Sequence, residues 1–201
     1  PLGAQQLIIA FGTGQRTSMT NTSAVGYASG TQSLYGIWDW NLASWNALST
    51  SQYASLSSAA TGLTSPYTVK QANLQKQTFT VDATTATRRL PASATVCWKG
   101  STACSTGNTH FGWYVNLPGS QEQVVFNPQL LGSAFVVNSA VPATNSILSC
   151  TTNTDTGFTY AISVMSGGVL KNVFPQYNDM VAAGVQTDAT GTSFPVMTAD
   201  S

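Results

Sequence analysis

Few residues in this chain have the types and spacing that enzyme chemistry requires. His110 is the single histidine, and it lies in a polar stretch beside Asn108 and Thr109, with no G-x-S-x-G motif in the sequence. A catalytic serine would therefore lack the G-x-S-x-G motif that usually surrounds it. The C-x-x-C and H-x-x-x-H spacings that are typical of zinc sites do not occur among the three cysteines and the histidine. The sequence predicts no catalytic residue and no bound metal.

Two short segments come closest to ligand-binding motifs. In TNTDTG (152–157), Asn153 and Asp155 have the alternate spacing of calcium ligands, but no acidic residue closes the loop. The segment FGTG (11–14) lacks the third glycine and the Lys-Ser/Thr pair of a phosphate loop. We predict a turn at each place, with a weak cation site as the alternative at the first, and no cofactor.

An aromatic cluster surrounds one acidic residue in TQSLYGIWDW (31–40). It could be a ligand platform, an interface or the packed end of a strand. Alternation places Leu34, Gly36 and Trp38 on one side and Tyr35 and Asp39 on the other. We predict that Trp38 packs in the core between this strand and a following helix. Asp39 is the only acid in an aromatic setting, so paired carboxylates for glycoside hydrolysis find little support.

Three tryptophans offer a different reading of the surface. If Trp45, Trp98 and Trp113 were exposed, they could form a carbohydrate-binding module. This remains an alternative to a purely structural role for the aromatic residues.

Three cysteines allow three single-bridge pairings. Cys97 and Cys104 bracket WKGSTA, a short loop of mainly small residues, and we predict a disulfide between them. Cys150 is then left over, with a partner elsewhere or as a free thiol. The alternative is that all three thiols are reduced. A disulfide would favour an exported protein.

Charge is sparse, with seven basic and seven acidic residues in 201 positions. This pattern gives no electrostatic footprint for nucleic acid or an anionic membrane. The one basic pair, Arg88-Arg89, is read as a solvated loop. No apolar run approaches the length of a membrane span, and the opening PLGAQQLIIAFGTG lacks the basic start and the cleavage site of a signal peptide. Because the first residue is not Met, we expect a chain that is mature, processed or excised from a longer protein.

Short strand signals bounded by glycine and proline predict an all-β protein. Apolar residues through 41–58 recur at helical spacing and predict one short helix. Residues 60–110 read as a long polar insertion on a face of the fold with one strand candidate at 76–82. The predicted strands lie at 5–11, 33–39, 111–117, 122–127, 133–141, 157–165, 169–174 and 192–199.

Several blocks, in this order and spacing, resemble the C-terminal β-propeller of the PilY/PilC family. They are IIAFGTGQ, TQSLYGIWD, FGWYVNLP, EQVVFNPQLLGSAFVVNSAVP and GFTYAISVMSGG, and the similarity extends from Leu7 to Thr198. It implies antiparallel four-stranded blades of a partial propeller in one domain, 1–201. One blade portion is expected at about 1–40, the helix and polar insertion at 41–110, and the next blades at 111–201. Tyr35, Trp38, Asp39 and Trp113 would be a structural signature of the blade ends.

The resemblance also implies a function. It is that of a non-enzymatic scaffold segment of a type IV pilus tip adhesin, supporting pilus assembly and surface attachment. The expected partners are minor pilins, the rest of the propeller and the N-terminal adhesive domain of the same protein, and a host or abiotic surface. The expected location is the cell surface at the pilus tip, or in association with the outer membrane. The family's aspartate-rich calcium loop has no match here. A quinoprotein-like propeller enzyme is the other alternative, but the vicinal cysteine pair common in that class is absent.

Overall fold

The structure is a computed structural model that describes residues 7–17, 26–39, 68–84, 86–99, 104–143, 155–170, 173–174 and 184–187. Strands dominate this part of the chain. The strands are β1 (Ile8–Gly12), β2 (Arg16–Thr17), β3 (Gly26–Tyr27), β4 (Ser33–Trp38), β5 (Gln75–Val81), β6 (Arg88–Ala92), β7 (Gly112–Asn116), β8 (Gln129–Leu131), β9 (Ala134–Val141), β10 (Thr156–Ser163) and β11 (Gly184–Thr187).

Nine of these strands form one continuous sheet in the order β1-β4-β7-β5-β6-β11-β10-β9-β8, while β2 and β3 form a separate pair. Neighbouring strands are antiparallel except β5 and β7, which are parallel. β5 joins the two halves of the sheet, because its first residues pair with β7 and its later residues with β6. The predicted all-β class is confirmed, whereas separate blades around a channel are not seen in these strands.

The two halves of the sheet meet in a shared core, and a second, smaller buried cluster is formed by Ala134, Val136, Ala161 and Phe174. Trp113 of β7 meets Phe135 of β9 edge to face, with ring centroids 6.4 Å apart. Residues of β4, β5, β7, β9 and β10 all contribute to the same buried cluster. Burial of this apolar surface is what holds the folded sheet together.

The expectation that residues 60–110 lie outside the core is wrong for their described part. β5 and β6 sit in the middle of the sheet, and Gln77 and Phe79 are buried. The segment reads as polar because the outward-facing residues of β5 are Lys and Thr, while its inward positions include a glutamine. Gln77 tolerates burial because its side-chain amide forms hydrogen bonds with the backbone of Ala94 and Ser166.

Two other predicted elements differ from the structure. Residues 122–127 make only a bridge, Gln123 to Ala140. Of residues 169–174 the structure describes 169–170 and 173–174, and these make only a bridge from Val169 to Ile162. The predicted helix at 41–58 and the strand at 192–199 lie outside the described residues. The helix that is described is a 3-10 turn, Gln71–Asn73, and the described part of the chain holds no helix suited in length and hydropathy to cross a membrane.

Candidate functional site

The predicted signature residues divide between the two faces of the sheet. Trp38 and Trp113 are buried in the core, as alternation with Leu34 predicts for Trp38. Tyr35 and Asp39 have the opposite parity in and beside β4 and are half-buried. The four residues therefore form no common pocket, and two of them serve the core.

Trp113 lies between two glycines. A Cβ atom on Gly36 would sit 2.4 Å from its indole nitrogen, and one on Gly167 would sit 2.2 Å from its six-membered ring. Gly167 also has φ +66°, a conformation that favours glycine. The indole N–H donates a 2.9 Å hydrogen bond to the carbonyl of Val164. The site therefore fits an indole and little else.

Trp38 packs differently. It is stacked on Phe111 with centroids 6.3 Å apart and meets Trp98 edge to face at 6.4 Å. Its indole N–H is buried and has no hydrogen-bond partner in the structure as described. Trp98 and Trp113 are both buried, so the suggestion that they form an exposed sugar platform is wrong. Trp45, the third residue of that suggestion, lies outside the described residues, as does the helix expected to cover Trp38.

Cys97 and Cys104 form the predicted disulfide, with their Cα atoms 5.7 Å apart. His110 lies beside it, accepting a 3.1 Å hydrogen bond from the Cys97 backbone N–H through its Nδ1 atom. Burial lowers the pKa of His110, which suits an imidazole that accepts a hydrogen bond. His110 thus has a structural role next to the disulfide. Cys150 lies outside the described residues.

A buried polar cluster surrounds Glu122, the only glutamate of the chain. The hydroxyls of Tyr160 and Ser139 each donate a 2.6 Å hydrogen bond to one carboxylate oxygen. The other oxygen accepts a 2.8 Å bond from the Gly119 N–H and lies 3.5 Å from Arg89 Nη2. Burial, followed by the charge and hydrogen bond of Glu122, raises the pKa of Tyr160 well above its usual value of 10.0. The cluster holds a charge pair inside the core, closed to any substrate.

Arg89 also corrects an expectation about the basic pair. Its guanidinium carbon lies 3.6 Å from the centroid of the Phe158 ring, a cation–π contact, and the residue is buried in β6. Arg88 pairs with Asp82. The prediction of a solvated loop is wrong for Arg89, because the sequence does not reveal that Glu122, 33 residues away in the chain, compensates its charge. The isolated glutamate in the apolar segment EQVVF was the one available signal for the cluster.

The acidic residue of the candidate calcium loop, Asp155, accepts hydrogen bonds from other parts of the protein. Asp155 accepts a hydrogen bond from the Tyr27 hydroxyl and a 2.9 Å bond from the Ala143 N–H. Burial and Asp155 together raise the pKa of Tyr27. Asn153 lies outside the described residues. Asp155 therefore fastens the β2–β3 pair to the end of β9, and in the described segments no group of three acidic, histidine or cysteine residues is placed to hold a metal.

An accessible groove lies where the two ends of the sheet approach each other. The Val124 N–H donates a 2.9 Å hydrogen bond to the Thr13 carbonyl, which joins the end of β1 to the chain that leads into β8. Beyond that bond the two segments separate and leave a groove of about 240 Å³ between Ile8 and Ala10 on one wall and Gln129 and Leu130 on the other. We call this gap the seam, bounded by β1 and residues 124–131.

An aromatic row crosses the outer face of β1, β4 and β7. Phe11 stacks on Tyr35 with centroids 5.1 Å apart, and Tyr35 on Tyr114 at 6.1 Å. The hydroxyl of Tyr35 accepts a 3.1 Å hydrogen bond from Gln71. Such cross-strand pairs stabilise a sheet, and the outer face of the Phe11 ring at the sheet edge is also available to a ligand.

Within the described residues, the seam and the aromatic row are two surfaces that could contact a ligand or another protein. Comparison with protein-family models, curated proteins and solved structures found no match for the chain.

Proposed function

We propose that this chain is a non-enzymatic scaffold segment of a type IV pilus tip adhesin, as the PilY/PilC resemblance implies. The observation that carries the proposal is the contrast between the core and the surface. Among the described residues, the cluster of Glu122, Arg89, Tyr160 and Ser139 is buried, and both oxygens of its carboxylate accept hydrogen bonds, while apolar strand edges are accessible at the seam. Such a distribution suits a module that docks onto other proteins.

Within this proposal, β1 and β4 belong to one blade and the strands from β7 to the end of the chain belong to the next blades, as the resemblance implies. The antiparallel pairing of β1 with β4, and of β9 with β8 and β10, supports this assignment, and the disulfide supports export. The proposed location is the cell surface at the pilus tip. The partners are minor pilins and the remaining domains of the same protein.

The test is an in-frame deletion of the segment that corresponds to residues 1–201 from the full-length tip protein. The shortened protein is expected to lose co-purification with minor pilins, and the cells to carry fewer pili and attach less well. A matched control replaces the exposed Val81 by Ala in the intact protein and is expected to leave piliation unchanged. Normal pilin recovery and normal piliation after the removal would refute the scaffold role.

The aromatic row supports a second candidate function, a carbohydrate-binding surface. Sugars stack on aromatic faces, and Phe11 is 37% exposed at the edge of the sheet. A glycan array probed with the chain is the test. Phe11→Ala and Tyr114→Ala are expected to abolish any signal that Val81→Ala keeps. An array without signal, or with equal signal in all variants, would exclude this function.

A further inference from the structure

We propose that the seam takes up one extended, uncharged strand donated by a partner protein. This names the kind of contact through which the proposed scaffold docks, and it rests on that role only for the identity of the partner. Four observations carry it, which concern the hydrogen bonds, the shape, the charge and the two walls of the seam.

The hydrogen-bonding groups of β1 point into the seam. The Asp39 N–H donates to the Leu7 carbonyl at 3.0 Å, and the Thr13 N–H donates to the Ser33 carbonyl at 2.9 Å. Since bonded pairs alternate along an antiparallel ladder, the odd-numbered residues of β1 make the bonds to β4. The backbone groups of Ile8 and Ala10 therefore face the open edge, where no described strand pairs with them.

The seam is closed at one end and open at the other. At the closed end, the side chain of Thr13 accepts the Ser33 N–H at 2.9 Å, which leaves the Thr13 carbonyl to accept from Val124. Toward Ile8 no described hydrogen bond joins β1 to residues 125–131, and the groove there is lined by Phe135 and Val164 at its base.

The lining of the groove specifies an uncharged occupant. No charged residue lines this groove, whereas Arg16 lines a second groove of about 320 Å³ nearer the closed end. β1, IIAFG, carries neither the charged residues nor the prolines with which natural proteins usually protect an edge strand. Ile9 and Leu130 are 50% and 62% exposed on its two sides. An apolar strand would cover them, whereas a charged one would be desolvated without a partner.

The two strands that flank the groove, β1 and β8, indicate that its occupant is a segment that belongs to no folded sheet. β1 pairs on its inner side with β4, and β8 pairs on its inner side with β9, so the strand between them must offer hydrogen bonds on both edges. The edge strand of a folded sheet, including β1 of a second copy of this chain, has one edge already occupied. A tail or linker of a partner protein has both edges free, as in β-strand addition.

The test uses a short capped peptide of alternating threonine and valine, titrated into the chain. Binding is expected to slow hydrogen exchange of the Ile8 and Ala10 amides. The same peptide N-methylated at alternate residues keeps its side chains but loses its donors along one edge, and it is expected not to bind. Leu130→Asp is expected to weaken binding about tenfold, while the matched change Val81→Asp, at another exposed apolar position, leaves it unchanged.

Equal binding of both peptides, or binding insensitive to Leu130→Asp, would overturn the proposal in favour of general apolar adhesion. A stable dimer that excludes the peptide would overturn it in favour of a second copy. Minor pilins captured normally by the Leu130→Asp chain would refute the seam and leave the scaffold role standing. Peptide binding without pilin capture would support the seam and refute the partner proposed above.

Discussion

Phenylalanine substitution should affect the two buried core tryptophans very differently. Trp113 and Trp38 are both buried, so each change removes a similar amount of apolar contact, worth about 1–2 kcal/mol. They differ at the indole nitrogen. Trp113 donates to the Val164 carbonyl, whereas the N–H of Trp38 has no partner in the described structure.

The magnitudes follow from this difference. Trp113→Phe leaves the Val164 carbonyl without its donor in the core, which adds about 1–3 kcal/mol to the loss of contact. Trp38→Phe removes an unpartnered N–H whose burial costs about 1–3 kcal/mol, which offsets the loss of contact. We expect Trp113→Phe to be less stable than Trp38→Phe by about 2–6 kcal/mol, and the latter to lie close to the parent chain.

Urea unfolding with unchanged slope measures the difference as a shift in midpoint. The alanine variants of both residues serve as controls for burial, and Trp38→Ala should cost about 3–5 kcal/mol. Equal midpoints for the two phenylalanine variants, or a lower midpoint for Trp38→Phe, would refute the reasoning. A Trp38→Ala variant with the parent's midpoint would show that Trp38 is not packed at all.

Three further predictions concern the surroundings of the core. Gly36→Ala should cost about 1–3 kcal/mol, because its Cβ would overlap the confined Trp113 ring, and an unchanged melting temperature would contradict this. Tyr160→Phe should cost about 1–3 kcal/mol by removing a donor to Glu122. Since the pKa of Tyr160 is raised, its neutral form stabilises the fold below pH 10, and this stability is lost as the pH rises through the raised pKa, so absorbance should show one tyrosine that ionises only on unfolding. His110 has a lowered pKa, so its contribution should be complete above about pH 6.5 and be lost as the pH falls through that lowered value. A midpoint profile unchanged by His110→Asn would contradict this.

Local sequence was sufficient to predict β4. Alternation placed Leu34, Gly36 and Trp38 inward, and the structure agrees because strand parity depends only on neighbouring residues. The disulfide was likewise accessible from a short loop flanked by two cysteines. Predictions of this kind depend on contacts within about ten residues.

The buried polar groups could not be predicted, since their partners come from distant parts of the chain. The sequence predicts Gln77 at the surface, because the Ser166 carbonyl that accepts a hydrogen bond from its amide lies 89 residues away in the chain. The sequence predicts Arg89 in solvent, because its partners Glu122 and the Phe158 ring come from distant parts of the chain. Composition therefore misplaced β5 and β6 on the outside, although they occupy the middle of the sheet.

β1 presents the opposite mismatch, and it bears on the proposed strand addition. Its residues are apolar on both faces, IIAFG, a pattern typical of strands in the middle of a covered sheet. In the structure β1 is an edge strand, with Ile9 and Phe11 exposed. At Ile9 a polar residue would protect the edge at no cost to the described core, whereas Phe11 stacks on Tyr35. A strand inserted in the seam would give β1 a neighbour on each side, which is the environment that its sequence fits.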